Sequence, residues 1–409
     1  MEQGQEKVSG GGRGVPSFRK VSIVIPALNE EGVVGKTIRQ IDLEGLKSLG
    51  LEAEVIVVDN ASEDRTAEEA RQAGARVVYE PRRGYGNAYL RGLSEASGDI
   101  IVMGDADGTY PFDRVVEFIQ PILRGEADMV IGSRFRGKME KGAMPALHRY
   151  IGNPLLTFIG NLLFHTGISD FHCGMRAITR EALNRLALRT TGMEFATEMV
   201  VEAGRKGLRI VEVPIEYRRR GGSRPKLSSL RDGWRHLRFM LMYSPDYLFI
   251  LPGCTIFLLG LGLMLLFLRG PISIGEITLD IHPMILGSLL TLLGLNILLA
   301  GITAKTFAMV EGFIDEDRLL SFIQRHFRLE RGIMTGGIIA LVGFLLNLQI
   351  LLRWYASGFG ELPTLRTAIF AATVFIVGVQ IIFSAWLMSI IGIERGERWR
   401  LCQVNSRGR

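Results

Sequence analysis

Two aspartates stand two positions apart in GDADGTYPFD, residues 104–113, directly after the apolar run Ile100–Met103. Carboxylates that close repel each other unless something positive sits between them. At a strand end, Asp105 and Asp107 could both reach one divalent ion, with phosphate oxygens filling its other positions. Mg²⁺ or Mn²⁺ suits such oxygen ligands and a diphosphate. The plainer alternative is an Asx-turn starting a helix near Pro111, with Thr109 tying the loop and Asp113 in the first turn. A second acidic strand end occurs in EVIVVDNASEDRT. There Asp59 could accept from a base N–H or a ribose hydroxyl, while Ser62 or Asp64 could equally cap the next helix.

Basic residues supply possible counterparts. RRRGGSRPKL, residues 218–227, sets Arg218, Arg219, Arg220, Arg224 and Lys226 around Gly221 and Gly222. Anionic headgroups and diphosphates are natural partners for it; a purely electrostatic membrane anchor is the alternative. RRGYGNA, residues 82–88, could bring backbone close to a phosphate before a helix, or form a plain turn. SDFHCGMRAI, residues 169–178, mixes Asp170, His172, Cys173 and Arg176. No matching ligand pair accompanies the His–Cys neighbours, which argues against zinc and leaves Asp170 and Arg176 for a polar active-site loop. The three cysteines are far apart and suggest no disulfide framework. No GxGxxG follows the first strand and no Walker A sequence occurs, so nicotinamide and P-loop readings lack their supports. The charge of +6 and pI near 9.3 suit an anionic partner. Without a stacking platform or recognition module, nucleic acid is excluded as that partner.

The elements that must position these residues follow from the pattern of residues 19–131. Val21–Ile25, Val55–Val58, Val77–Tyr79, Ile100–Met103 and Met129–Ile131 are short apolar runs, with helical stretches such as Glu31–Leu43 and Asp64–Ala73 between them. This alternation predicts an α/β domain with a mainly parallel sheet. Ligands bind beyond the carboxyl ends of such strands. Pro26–Glu31, Asp59–Thr66 and Gly104–Pro111 each follow a strand and can converge there.

Later in the chain the solvent changes. The 409 residues are 47% hydrophobic, and the excess lies in the C-terminal part. Leu248–Leu268, Met284–Ala304, Ile333–Leu352 and Ala368–Ile391 are each near the ~20 residues that a bilayer needs. Glycines inside them can mark close helix packing. The apolar run from Leu155 is too short to span and ends in Asn161 and His165; it fits a helix lying on the membrane or a core helix. Lys226–Tyr247 reads as an interfacial helix leading into the bilayer. Arginines and lysines crowd the connection between spans two and three and the C-terminal tail, which predicts a cytoplasmic catalytic domain and cytoplasmic termini. The glycine-rich N-terminus reads as a disordered tail with no signal-peptide core. The expected divisions are a tail at 1–18, a catalytic domain at 19–225, an interfacial segment at 226–247, a membrane domain at 248–391 and a basic tail at 392–409.

VSIVIPALNEE, VIVVDNASEDRT, RRGYGNA, GDADGTYP, GSRF, SDFHCGMRAI and RRRGGSRPKL occur in this order over residues 19–245. Together they resemble the inverting glycosyltransferases of family 2 with the GT-A fold, and among them the membrane-anchored polyprenyl- and dolichyl-phosphate sugar synthases. The resemblance implies a Rossmann-like GT-A domain followed by an α-helical transmembrane domain. It implies a nucleotide-sugar donor, a polyprenyl or dolichyl phosphate acceptor, and Mg²⁺ or Mn²⁺. Pro26, Ala27, Glu30 and Asp59 would line the base and ribose, with Arg83 and Gly86 in a loop near the nucleotide. Asp105 and Asp107 match the metal-binding DxD, and Asp105 would also touch ribose or sugar. Arg134 matches an arginine near the acceptor phosphate, and Asp170 lies in the loop that faces the reacting centre. Arg220, Ser223 and Lys226 match the basic loop over the phosphates. The chain departs from the pattern at Thr109, where several mannose synthases carry Gln, and at Arg224–Pro225, inserted where many members run Ser directly into Lys.

An acceptor phosphate monoester is already largely ionised at neutral pH and needs no strong base to attack C1. Asp170 is therefore expected to orient acceptor or sugar rather than abstract a proton. Competing readings are a glycosyltransferase using a lipid alcohol, a polysaccharide synthase and a non-enzymatic membrane assembly protein. Processive synthases carry QxxRW, whereas the nearest string here, QILLRW at 349–354, has the wrong spacing. UDP-glucose is the favoured donor, with GDP-mannose next and UDP-GlcNAc behind.

Overall fold

The computed structural model describes residues 18–221, 229–310, 329–360 and 364–406. Two expected site residues, Ser223 and Lys226, lie outside these, as does nearly all of the expected N-terminal tail. The chain divides into compact units at Met1–Met240 and Leu241–Arg409.

The first unit is built on a seven-stranded sheet. Its strands are β1 (Lys20–Ala27), β2 (Glu52–Asp59), β3 (Arg76–Tyr79), β4 (Ile100–Met103), β5 (Met129–Ser133), β6 (Arg176–Thr179) and β7 (Ile210–Pro214). Their order is β3-β2-β1-β4-β6-β5-β7. Every residue of β4 and β5 is buried, so both faces of the central sheet are covered. That is why these strands read as unbroken apolar runs rather than alternating ones.

Five of the strands match the apolar runs; β6 and β7 had no such signal. β6 is short and opens on Arg176, and β7 is interrupted by Glu212. The helix expected at 31–43 is confined to Val34–Arg39, and a second helix, Leu43–Ser48, follows, capped by Asp42, which accepts from the Gly45 N–H at 2.8 Å. The helix expected from Asp64 begins at Thr66.

Register brings the chemistry to one edge. Ala27 pairs with Asp59 and Asp59 with Tyr79, so β1 to β3 end level. β6 runs antiparallel to both β4 and β5, and Arg176 pairs with Met103 and Ile131. Its reversed direction carries the preceding loop, with Asp170, to the edge where the parallel strands end.

The second unit contains four helices long and apolar enough to cross a membrane: Asp246–Leu268, Ile281–Val310, Leu329–Ala356 and Leu365–Ile391. Each expected span lies within one of them. Glycines let their backbones meet. A Cβ on Gly260 would stand 2.3 Å from the Thr291 nitrogen, one on Gly294 2.2 Å from that of Phe257, and one on Gly343 2.4 Å from that of Phe375. Lys305, 2% exposed, is held by both oxygens of Asp246 at 2.7 and 2.8 Å.

Candidate active site

The loops after β1 and β2 are zipped together. Successive N–H groups of Asn29, Glu30, Glu31 and Gly32 donate to Ser62 Oγ, Thr66 Oγ1, Asp64 Oδ2 and Glu69 Oε2, at 3.0, 2.8, 3.2 and 2.7 Å. Asn29 and Ala61 hold φ near +50° and +60°, in the left-handed region that Asn adopts readily and Ala does not. Asp59, nearly buried, accepts from the Ser62 N–H at 3.1 Å. Of the two capping candidates, Asp64 takes the Thr66 N–H at 3.0 Å at the helix start, while Ser62 serves the β1 loop.

Asn60 ties the next loop in place. Its Nδ2 donates to the Glu80 and Arg82 carbonyls at 3.2 and 2.8 Å, and its Oδ1 accepts from the Gly84 N–H at 2.8 Å. Arg83 reaches back to the Ala61 carbonyl and Glu63. Gly86 has a different reason to be glycine than phosphate approach. A Cβ there would lie 2.1 Å from the Thr190 carbonyl oxygen. The Gly86 and Asn87 N–H groups donate to the Gly192 and Thr191 carbonyls at 3.2 and 3.1 Å. The start of helix Tyr85–Glu95 is thus satisfied by the chain's own backbone, which takes those N–H groups away from an anion.

Asp105 and Asp107 of GDADGTYPFD are partly buried and differently held. Asp107 Oδ1 accepts from the Thr109 N–H at 3.1 Å and its hydroxyl at 2.6 Å, which is the Asx-turn. A short 3₁₀ helix, Phe112–Arg114, follows with Asp113 in its first turn. The turn uses one oxygen only; Oδ2 faces Arg220 Nε at 3.6 Å. Asp105 Oδ1 accepts from the Tyr85 hydroxyl at 3.1 Å. Burial first, and then the Asp107 charge, push the Asp105 carboxyl up to about 7, against the pull of Tyr85, Arg220 and Arg134.

Burial and the neighbouring Asp107 charge both disfavour the ionised Asp105, and a divalent cation at the pair would offset that by adding positive charge. Among the described residues no group of three or more His, Cys, Asp or Glu side chains is arranged to hold a metal. The two carboxylates would therefore share the ion with oxygens from a ligand, which fits Mg²⁺ or Mn²⁺ on a diphosphate.

Arg220 joins the site from the loop after β7. The Arg218 N–H donates to the Thr109 carbonyl at 3.0 Å and the Gly221 N–H to the Asp107 carbonyl at 3.2 Å. This backbone pairing delivers Arg220 Nη2 to Glu30 Oε1 at 2.6 Å. Glu30 thus holds the basic loop.

Arg134 and Asp170 form the buried end of the site. Arg134 Nε and Nη2 donate to the two Asp170 oxygens at 2.7 and 2.8 Å, and the Arg134 N–H adds a third bond at 3.0 Å. Asp170 is 0% exposed. Burial would lower the Arg134 proton affinity, but the Asp170 charge and hydrogen bonds raise it well above normal. The guanidinium also lies over the Tyr217 ring at 5.3 Å. Asp170, expected to orient acceptor or sugar, has both oxygens bonded to Arg134. Arg176 is buried, donating Nε to the Cys173 carbonyl at 2.9 Å. Cys173 is buried and its thiol pushed up to about 12 by burial, so it is inert.

Strand-end position and motif spacing pointed to the acids. They gave no sign of Tyr85, Asn60 or Tyr217, whose parts depend on contacts distant in sequence.

The chain has counterparts among known proteins. Residues 22–187 match the model of the glycosyl transferase family 2 domain, and residues 302–392 match the C-terminal transmembrane region of family 2. The low-salt glycan biosynthesis hexosyltransferase Agl6 of Haloferax volcanii is 38% identical over 373 residues, 91% of this chain and 89% of that protein. The chain belongs to glycosyltransferase family 2. Its first unit is the GT-A-like catalytic domain, with a mostly parallel sheet, and its second is the apolar four-helix region that marks an integral membrane protein. Another relative, the dolichyl-phosphate hexose transferase of Haloferax volcanii, is 34% identical over half of this chain and 86% of its own length. A solved glucosyl-3-phosphoglycerate synthase of Mycobacterium tuberculosis with Mn²⁺, uridine diphosphate and product is 28% identical over 55% of this chain and 80% of that one, with a TM-score of 0.45.

Proposed function

We propose that this glycosyltransferase moves a hexose from a nucleoside-diphosphate sugar to a polyprenyl or dolichyl phosphate at the cytoplasmic membrane surface. The observation that carries the reading is the meeting of two opposite charge systems at one sheet edge. Asp59, Asp105 and Asp107 suit a metal-bound donor, and Arg134, clamped by Asp170, suits an anionic acceptor. The likeness to a dolichyl-phosphate hexose transferase supports this acceptor class.

In the reaction an acceptor phosphate oxygen forms a bond to C1 as the bond from C1 to the donor diphosphate breaks. The electron pair leaves with the diphosphate, and no proton need be removed from the acceptor. A single displacement of this kind inverts the anomeric centre. A bound Mg²⁺ or Mn²⁺ would supply charge compensation to the diphosphate. Asp105 and Asp107 would hold it, and Arg220 would add a positive charge nearby. Arg134 would orient the acceptor phosphate, with Asp170 fixing Arg134. Lys226 and Ser223 remain proposed phosphate contacts of the basic loop, and Pro26, Ala27 and Glu30 proposed neighbours of the nucleotide.

Two helices would meet the lipid. In the stretch 148–164, Tyr150, Ile151, Leu155, Phe158 and Leu162 are exposed. Helix Ser229–Met242 exposes Trp234 and precedes the first span by only Tyr243–Pro245. UDP-glucose is the favoured donor and GDP-mannose the close alternative. The test is a panel of radiolabelled nucleotide sugars given, with Mg²⁺ or Mn²⁺, to membranes containing the protein. A mild-acid-labile lipid product is expected; polymer, or a stable lipid glycoside, would overturn the reading.

A further inference from the structure

The loop Ser169–Gly174 carries Asp170 and is gripped from several sides. Glu212 Oε1 accepts from the Ser169 and Asp170 N–H groups at 2.7 and 3.1 Å, and the Gly174 N–H donates to the Tyr110 hydroxyl at 2.8 Å. These contacts come from the sheet and the strand-end loops. Two more come from helices Asn153–Phe164 and Ser229–Met242, of which the first exposes Leu155, Phe158 and Leu162 and the second Trp234.

Helix Asn153–Phe164 turns Leu155, Phe158 and Leu162 outward, with Phe158 65% exposed, and buries Thr157 and Gly160 on its other side. Thr157 Oγ1 accepts from the Phe171 N–H at 3.3 Å. Gly160 lies so close to Phe171 that a Cβ would stand 2.6 Å from the ring. Helix Ser229–Met242 leaves Trp234 60% exposed and buries His236. The His236 ring meets the His172 ring edge-on at 4.6 Å, and its Nδ1 is 2.7 Å from Thr197 Oγ1. Consecutive residues of the loop, Phe171 and His172, thus each rest on a different helix.

We propose that these two helices seat the Asp170 loop from the lipid side, making Phe171 and His172 positioning residues for the Arg134 guanidinium. The occupant of the outer faces is the bilayer surface. Leu155, Phe158 and Leu162 recur at helical spacing on one open face, and the second helix runs by sequence directly into a membrane-length helix. Seating the loop fixes Asp170, Asp170 fixes Arg134, and so burial of the helices in lipid is coupled to acceptor geometry. The inference rests on the acceptor reading above for its catalytic consequence, but not for the seating itself.

The experiment uses the full chain in nanodiscs of anionic phospholipid, as wild type, Gly160→Ala, His236→Phe and the double variant Gly160→Ala with Phe171→Leu. Hydrogen exchange over residues 169–175 reads seating without reference to turnover. It is expected to quicken in both single variants and to recover in the double variant, where the smaller side chain makes room for the new methyl. Transfer to polyprenyl phosphate should fall on the order of tenfold or more in kcat/KM for the acceptor. Binding of UDP and GDP should stay as in wild type. Unchanged exchange in both single variants overturns the proposal. So does an equal loss of nucleotide binding and transfer, which marks general unfolding. If wild type makes no lipid product, the functional reading fails and the exchange data alone decide the seating.

Discussion

Arg134 and Asp170 close three hydrogen bonds on each other across 36 residues of sequence, with Asp170 wholly buried. Removing one partner strands the other's charge in a low-dielectric site, at a cost of about 3–5 kcal/mol. Asp170→Ala should therefore lower the unfolding temperature of the detergent-solubilised chain markedly. Arg134→Lys keeps a charge but loses the planar fork. It should spare nucleotide binding and raise the KM for polyprenyl phosphate, which steady-state kinetics with varied acceptor will read.

Thr109 is the residue that differs from several mannose synthases, and its hydroxyl holds Asp107 Oδ1 at 2.6 Å. Orienting partners of metal ligands typically contribute about 10–100-fold in affinity. Thr109→Val should weaken Mn²⁺ binding by about that range, measured by electron paramagnetic resonance with UDP present. An unchanged affinity would mean that the backbone half of the Asx-turn suffices.

Gly86→Ala would drive a methyl into the Thr190 carbonyl, which a Cβ would approach to 2.1 Å. Backbone cannot yield as a flexible side chain can, so overpacking of about 1–3 kcal/mol or more is expected. Donor affinity should fall with stability, because the same helix carries Tyr85 to Asp105 at 3.1 Å. Calorimetric titration with the nucleotide alongside thermal unfolding checks both.

Glu54 gives a pH signature away from the site. Burial alone would raise its carboxyl, but the Ser22 and Ser97 hydroxyls, the Ser97 N–H and Lys20 outweigh burial and pull it from 4.5 to about 2. A lowered carboxyl stabilises the fold fully above about 4.5 and loses that contribution as pH falls towards 2. Linkage makes this worth on the order of 3 kcal/mol at neutral pH. Glu54→Gln should be destabilised at pH 7, and its deficit relative to wild type should close between pH 4.5 and 2. A deficit independent of pH would show that packing, not charge, holds the residue.

Lys305 and Asp246 pair within the membrane unit at 2.7 Å, with the lysine buried. Lys305→Met and Asp246→Asn should each destabilise, since each removes one charge of the pair. The double variant should recover part of the loss. A double-mutant cycle on thermal unfolding in nanodiscs measures the coupling.

Much of this architecture was legible because burial on both faces of a sheet leaves an unmistakable trace. Ile100–Met103 coincides with β4, and the four spans stand out by length alone. β6 escaped because an antiparallel strand of four residues opening on Arg176 resembles a polar loop. Asp59, Asp105 and Asp107 could be found from strand ends. The partnership of Glu30 with Arg220, 190 residues apart, could not, since nothing local encodes a contact made by folding. For the same reason nothing local showed that Gly86 makes room for the Thr190 carbonyl.

The glycines of the membrane helices carry a consequence for how the anchor tolerates change. Where Gly260 meets the Thr291 backbone and Gly343 that of Phe375, the absence of a Cβ on the glycine lets the two main chains approach. Sliding either pair by one residue would insert a Cβ into main chain, so each pair has a single permitted alignment, like a key cut for one lock. The outward leucines and isoleucines can be exchanged for one another freely, whereas the glycine columns cannot. Sequence drift in the anchor would then rewrite its lipid-facing coat and leave the helix alignment beneath it untouched.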